Sequence, residues 1–95
     1  MSDTVLRYIK VRVHGKVQGV FYRVTTQEQA IGLGLKGFVM NMPDGSVYFE
    51  AAGSNENIEK LISWSYIGPP HATVHEVDLE EAEHLDLPER FEIRK

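Results

Sequence analysis

Residues 5–33 read VLRYIKVRVHGKVQGVFYRVTTQEQAIGL, a stretch whose pattern changes twice. Apolar and polar residues alternate over residues 5–14, which predicts a half-buried strand. Two glycines then break the alternation and predict a loop over residues 15–19, because glycine adopts backbone angles that other residues resist. Over residues 22–33 the apolar positions recur every three or four residues, which is typical of one face of a helix, and Gly34 can end that helix.

A hairpin and a second helix are predicted next. Residues 35–42 and 46–52 are both strand-like, and the Pro-Asp-Gly sequence at 43–45 suits a tight turn between them. Ser54 or Asn55 can cap the helix that follows, since both side chains accept hydrogen bonds from the free N–H groups of a first turn. The apolar stripe expected for that helix consists of Ile58, Leu61, Ile62 and Tyr66.

The last third of the chain predicts two more strands. The sequence Gly-Pro-Pro at 68–70 ends the second helix. Residues 73–79 are strand-like, but Val74 and Val77 are out of phase by one residue, which indicates a β-bulge. A short final strand is predicted over residues 91–94.

The predicted order is strand, helix, strand, strand, helix, strand, with the short last strand added at the edge. We therefore expect an α+β protein of the ferredoxin-like βαββαβ type, in which two helices cover one face of an antiparallel sheet. A chain of 95 residues can form one such domain with a modest core, so residues 1–95 are interpreted as a single domain. This architecture hosts many functions and indicates none of them.

Composition limits the classes of function. The sequence has 42% hydrophobic and 25% charged residues, which is typical of soluble globular proteins. It contains no cysteine, which excludes disulfides, thiolate zinc sites and a thiol nucleophile and suits a reducing compartment. The N-terminal residues show no basic leader with an apolar core, so we expect a cytoplasmic protein without membrane contact. The net charge of −4 disfavours a nucleic-acid partner. The four histidines match no ligand spacing, so neither a metal nor a cofactor is expected.

The loop at 15–22 and Arg23 are the first candidates for binding a ligand. Backbone N–H groups of a glycine-rich loop and of a helix start can converge on an anion. Arg23 adds a planar guanidinium that matches phosphate oxygens. The same residues are compatible with an ordinary strand-to-helix turn that carries a solvated arginine, and spacing alone favours that simpler interpretation.

Two motifs resemble the signatures of the acylphosphatase family. The first has a glycine, a variable residue, Val-Gln-Gly-Val, a variable residue, an aromatic residue and an arginine, and residues 15–23 match it completely as Gly-Lys-Val-Gln-Gly-Val-Phe-Tyr-Arg. The second is present as Gly-Phe-Val-Met-Asn at 37–41, Asp-Gly-Ser-Val at 44–47 and a later Gly53. The resemblance continues through Gly-Pro-Pro and the closing Phe-Glu-Ile, so it covers nearly the whole chain.

The resemblance implies an activity and a set of site residues. The implied enzyme is a cofactor-free monomer that hydrolyses acyl phosphates, which are carboxyl-phosphate anhydrides, to a carboxylate and inorganic phosphate. Arg23 would bind the phosphoryl group, and Asn41 would hold and orient the attacking water, whose proton passes to the substrate's own phosphate. The position before Asn41 is often basic in the family and is Met40 here, which removes a possible positive charge near the site. The substrate-binding loop would consist of Gly15, Lys16, Val17, Gln18, Gly19, Val20, Phe21 and Tyr22.

Three alternatives remain open from the sequence. Asn41 lies two residues before Pro43 and could serve only the backbone of the turn. The chain could also be a non-catalytic anion-binding or regulatory module that keeps the loop without turnover. A sheet of this type can bind RNA bases on exposed aromatic residues such as Tyr48, although the acidic balance and the lack of a basic-aromatic motif disfavour that function.

Overall fold

The structure is a computed structural model and describes residues 6–95. Its elements follow the predicted succession, and Val5, where the first strand was predicted to begin, lies outside the described residues. No helix within residues 6–95 is long and apolar enough to cross a bilayer. The elements are β1 (Arg7–Lys16), α1 (Tyr22–Gly32), β2 (Lys36–Asn41), β3 (Val47–Gly53), α2 (Asn55–Ser65), β4 (Thr73–Ala82) and β5 (Glu92–Arg94).

The strands form one five-stranded sheet in the order β4-β1-β3-β2-β5. Strand β1 is antiparallel to both β3 and β4, and β2 is antiparallel to β3. Strand β5 lies at the edge of the sheet, as predicted. It pairs with β2 in the parallel direction, so the sheet is mixed rather than wholly antiparallel. The predicted ferredoxin-like α+β fold is confirmed.

Burial alternates along the strands and shows which face of the sheet the helices cover. In β1 the side chains of Ile9, Val11 and Val13 are buried, and those between them are partly exposed. Each fully buried aliphatic or aromatic side chain contributes roughly 1.5–3 kcal/mol relative to an exposed one. The opposite face, which we call the open face, carries Tyr8, Lys10, Arg12 and their neighbours. The core includes Val39 of β2, Val47, Phe49 and Ala51 of β3, Tyr22 and Ala30 of α1, and Ile58, Leu61 and Ile62 of α2.

Helix α2 begins at one of the two predicted caps and ends before the Gly-Pro-Pro sequence at 68–70, as predicted. Ser54 is its N-cap, and the Ser54 hydroxyl accepts a hydrogen bond from the N–H of Asn57. The predicted apolar stripe is correct for its first three members and wrong for Tyr66, which is exposed. Ser65 takes the buried position instead, because its hydroxyl can donate to the carbonyl of Ile62 inside the helix.

The first strand is held against β4 by an irregular register. Residue His14 pairs with Glu76 and Gly15 pairs with Val74, so β4 has one extra residue between them, which confirms the predicted bulge. Strand β4 continues to Ala82, beyond its predicted end at residue 79, because its acidic second half pairs with β1. That pairing joins distant parts of the chain and leaves no local pattern in the sequence.

Candidate active site

A cavity of about 280 Å³ lies where the loop after β1, the first turn of α1, the end of β2 and strand β5 meet. It brings together Arg23 and Asn41, which a helix and a strand separate along the chain. Sequence reasoning had proposed these two residues for catalysis from separate motifs. The residues that line the cavity are Val17, Gly19, Phe21, Tyr22, Arg23, Val24, Asn41 and Ile93.

The loop enters α1 through two left-handed residues. Gly19 has a φ of 76°, and Phe21, the N-cap of α1, has a φ of 68° and a ψ of 19°. The N-cap makes no side-chain hydrogen bond to the helix, and the first turn contains no acidic residue. A helix start normally has its free N–H groups satisfied by such a cap. The N–H groups at the start of α1 are therefore available to a bound anion.

Arg23 adds a full positive charge at the same place. Its side chain is half-buried, and its Nη1 donates a hydrogen bond to the carbonyl oxygen of Arg94 in β5, at 3.2 Å. A cation at a helix N-terminus opposes the helix dipole and is unfavourable unless an anion lies nearby. The cavity is thus locally positive in a chain whose net charge is −4. The guanidinium of Arg23 can form two parallel hydrogen bonds to a phosphate group.

Gln18 connects the loop to the turn that follows Asn41. Its Nε2 donates hydrogen bonds to the carbonyl oxygens of Met42 and Ser46, both at 2.8 Å. The carboxylate of Asp44 accepts from the N–H and the hydroxyl of Ser46, at 2.9 and 2.5 Å. These hydrogen bonds lower the pKa of Asp44, with a smaller contribution from the nearby guanidinium of Arg12. The turn beside Asn41 is therefore held by Gln18 and Asp44.

Tyr22 lines the cavity and is also part of the buried core. The ring packs against Trp64 with 5.1 Å between the centroids, and its hydroxyl donates to the carbonyl of Ser65 at 2.7 Å. Burial raises the pKa of the Tyr22 hydroxyl well above its usual range, so it stays protonated and keeps this bond. Tyr22 thereby fixes the start of α1 to α2.

Half of the predicted loop residues lie outside the cavity. Gly15 and Lys16 belong to β1 and pair with β4, which leaves the connecting loop shorter than predicted. The side chain of Gln18 turns toward the hairpin, and Val20 is buried. These residues give the loop its shape, whereas Val17, Gly19, Phe21 and Tyr22 line the cavity.

The expectation that Met40 removes a positive charge from the site is wrong. Met40 pairs with Tyr48 of β3, and Asn41 pairs with Val47, so the two neighbours project from opposite faces of the sheet. Met40 lines a groove on the open face together with Arg12, and Asn41 lines the cavity. The missing basic residue therefore removes no charge from the cavity.

Sequence reasoning missed Val24 and Ile93 as residues of the site. Val24 follows Arg23 on the helix and was outside the loop motif, although an apolar residue on the exposed side of a helix start is a weak signal in itself. Ile93 reaches the cavity because β5 pairs with the strand that carries Asn41. That parallel pairing has no local signal in the sequence.

The structure is that of a ferredoxin-like protein with a cavity at the start of its first helix. Comparison with known proteins narrows this class. The model of the acylphosphatase family matches residues 9–93. An acylphosphatase from Acaryochloris marina is 47% identical over 85 residues, covering 90% of each chain. One from Rubrobacter xylanophilus is 42% identical over 86 residues, which covers 90% of this chain and 78% of the relative.

Solved structures agree with the sequence comparison. The structure of an acylphosphatase from Coxiella burnetii matches with a TM-score of 0.91 and 38% identity, over 99% of this chain and 100% of the other. That of an acylphosphatase from Bacillus subtilis matches with a TM-score of 0.89 and 31% identity, over 96% and 100%. The chain belongs to the acylphosphatase family, whose members are enzymes that hydrolyse acyl phosphates.

Proposed function

We propose that Arg23 and the backbone N–H groups of the loop bind the phosphoryl group of an acyl phosphate, while Asn41 orients the attacking water. The observation that carries this proposal is that Arg23, Asn41 and the uncapped start of α1 line one cavity. Phosphoryl transfer depends mainly on positioning and on stabilising charge at the phosphoryl oxygens. The guanidinium and the free N–H groups stabilise that charge, and the side-chain amide of Asn41 positions the water.

The proposed reaction needs no protein nucleophile. The water oxygen bonds to phosphorus as the bond between phosphorus and the acyl oxygen breaks, and that electron pair leaves on the carboxylate. An acyl phosphate dianion and water thus give a carboxylate and dihydrogen phosphate, with both water protons on the phosphate. A carboxylate is a stable anion near neutral pH, so the leaving group needs no general acid. The described residues that line the cavity include no carboxylate and no imidazole, which supports proton transfer to the phosphoryl oxygen.

The alternative role of Asn41, serving only the turn, is disfavoured by the hydrogen bonds around that turn. Gln18 donates to two of its carbonyl oxygens, and Asp44 accepts from the N–H of Ser46. Within the hairpin, the N–H of Gly45 also donates to the carbonyl of Met42. The amide of Asn41 is therefore free for the cavity it lines.

Two substitutions test these roles on benzoyl phosphate. Arg23→Ala removes the guanidinium, and Asn41→Ala removes the amide, so each should lower kcat/KM by about a hundredfold or more if the group stabilises the transition state. Arg90→Ala, which removes an exposed arginine, is the matched control and should keep wild-type activity. Circular dichroism of all variants must show the wild-type fold. Full activity of a folded Arg23→Ala or Asn41→Ala protein refutes the role given to that residue.

The same experiment separates hydrolysis from a binding module. A non-catalytic anion-binding or regulatory protein would be protected by phosphate against thermal unfolding but would not release phosphate from benzoyl phosphate. Turnover by the wild type excludes that function. Protection that Arg23→Ala abolishes would support the proposed phosphate contact independently of turnover.

We further propose that residues 1–95 act as one monomeric, cytoplasmic domain on a small-molecule substrate, without a nucleic-acid or membrane partner. One continuous cluster of buried residues from β1, β2, β3 and both helices supports the single domain. On the open face, the guanidinium of Arg94 lies 4.0 Å from the ring centre of Phe38, and Tyr48 donates to the carboxylate of Glu50. Covered rings and adjacent carboxylates disfavour base stacking. The molar mass measured by light scattering after size-exclusion chromatography tests the monomer, for which a mass of 10.8 kDa is expected.

A further inference from the structure

The cavity has apolar side chains that the proposed phosphate chemistry does not use. Phe21 and Val24 are the most exposed of these, at 73% and 43%. Val17 and Ile93 line the same cavity from the loop and from β5. Arg23 is the one charged side chain among the described residues of the lining. The lining that remains after the phosphoryl group is bound is therefore apolar and uncharged.

Phe21 is held in a conformation that is unfavourable for its residue type. It is the one non-glycine residue with a positive φ among residues 6–95. The left-handed conformation brings Cβ close to the following carbonyl oxygen, so bulky residues rarely adopt it. Most of its ring is also exposed to water. Glycine at this position would avoid both penalties, and backbone strain of this kind is concentrated at ligand-binding positions.

The backbone of Phe21 is held by the first turn of α1. The N–H and the hydroxyl of Thr25 both donate to the carbonyl oxygen of Phe21, at 3.1 and 2.8 Å. Val24, three residues later in α1, lines the same cavity as Phe21. We call these two side chains the Phe21–Val24 rim. The rim is an apolar surface at the cavity, built on rigid backbone.

We propose that the Phe21–Val24 rim binds the acyl group of the substrate and selects acyl phosphates whose acyl group is aromatic or otherwise bulky and uncharged. This inference rests on the proposed function. Once Arg23 and the helix start hold the phosphoryl group, the acyl group lies against the rest of the lining. A bulky apolar group there buries the exposed ring of Phe21, which a small acetyl group does not. A second anionic group on the acyl part gains nothing from the rim.

The ratio of kcat/KM for benzoyl phosphate to that for acetyl phosphate tests this inference. Comparing each variant's ratio with that of the wild type cancels the different intrinsic reactivities of the two substrates. Phe21→Ala removes the contacts of the aromatic ring with the benzoyl group and should lower this ratio by about two- to tenfold. Val24→Ala should lower the ratio in the same direction. Activity on acetyl phosphate should stay near the wild-type value in Val24→Ala, which lies outside the proposed phosphate-binding loop. In Phe21→Ala, activity on benzoyl phosphate should fall more than activity on acetyl phosphate.

Matched controls come from exposed apolar residues outside the cavity. Tyr66→Ala removes an exposed aromatic ring, and Ile31→Ala removes an exposed branched residue of α1. Both should keep the wild-type ratio. The inhibition constants of benzylphosphonate and methylphosphonate give a second measurement that does not depend on turnover. The substitutions Phe21→Ala and Val24→Ala should weaken the inhibition by benzylphosphonate more than that by methylphosphonate.

An unchanged ratio in folded Phe21→Ala and Val24→Ala proteins overturns the inference, as does an equal loss on both substrates. Should Phe21→Ala not fold, Val24→Ala and its phosphonate inhibition decide alone. A wild type that hydrolyses neither substrate refutes the proposed function, and the acyl-group inference with it. A wild type that hydrolyses both, with a ratio insensitive to the rim, refutes only the inference about the acyl group.

Discussion

Replacing Gln18 with methionine should make the position of Asn41 in the cavity less precise, although no residue that lines the cavity is changed. Methionine keeps the unbranched length of glutamine but lacks the two N–H donors. Gln18 is half-buried and donates to the carbonyls of Met42 and Ser46, on either side of the hairpin turn. Its side chain links the loop before α1 to the turn that follows the strand of Asn41.

The loss of stability depends on which hydrogen bonds the two carbonyl oxygens keep in the variant. The Met42 carbonyl still accepts from the N–H of Gly45 at 3.1 Å, and the Ser46 carbonyl still accepts from the N–H of Met42 at 2.8 Å. Neither oxygen is left without a partner, so each lost bond is worth its net value of about 0.5–1 kcal/mol. The free energy of unfolding should fall by about 1–2 kcal/mol, which lowers Tm by roughly 5–15 °C in a domain of this size.

The effect on activity should exceed the effect on substrate binding. In the proposed mechanism, Arg23 and the helix start bind the phosphate, whereas the orientation of the water depends on the position of Asn41 relative to them. Since a shift of about 1 Å can reduce a rate by about a hundredfold, kcat should fall at least about tenfold with a smaller change in KM.

Urea unfolding and steady-state kinetics on benzoyl phosphate, both well below Tm, measure these two quantities. Gln29→Met, which changes an exposed glutamine on α1, is the control and should be neutral in both. An unfolding free energy within about 0.3 kcal/mol of the wild type would refute the stabilising role. An unchanged kcat in the folded variant would refute the positioning role.

Two further predictions concern backbone and pH. Gly15→Ala should cost about 3–5 kcal/mol, because its Cβ would lie 2.1 Å from a backbone oxygen of β4 at a φ of 135°, whereas Gly19→Ala, at a φ of 76° with open space, should cost about 1–2 kcal/mol. Equal falls in Tm for the two variants would contradict this reasoning. Hydrogen bonds from Ser46 lower the folded-state pKa of Asp44 below its ordinary value of 3.8, so its contribution is present above that pH and is lost as the pH falls through the folded-state value. Asp44→Asn should therefore be less stable than the wild type near neutral pH, with a gap in urea midpoint that closes below about pH 4; a gap independent of pH would contradict it.

Much of the fold is predictable from local patterns in the chain. Alternating residues in β1, the helical spacing in α1 and the cap at Ser54 each depend on neighbours within a few positions. Even the bulge in β4 leaves a local trace in the phase of Val74 and Val77. Because these features depend on backbone sterics and side-chain periodicity, they can be inferred without tertiary contacts.

Other features of the fold depend on pairing between distant segments. The parallel direction of β5, the extension of β4 to Ala82 and the exposure of Tyr66 are examples. Their energies come from contacts whose partners lie far apart in sequence, so no local window contains them. Predictions failed or fell short at these positions.

Some features of the site were likewise predictable from the sequence, and others were determined only by the tertiary structure. Residue types indicated a loop that could bind an anion, and the resemblance to the acylphosphatase family pointed to Arg23 and Asn41. Only the packed sheet and helices placed Arg23 and Asn41 on one cavity, turned Gln18 toward the hairpin and Met40 to the open face, and left the ring of Phe21 exposed in a left-handed backbone. Side-chain direction is set by strand register and by the turn into a helix, and both become fixed only when distant segments pair.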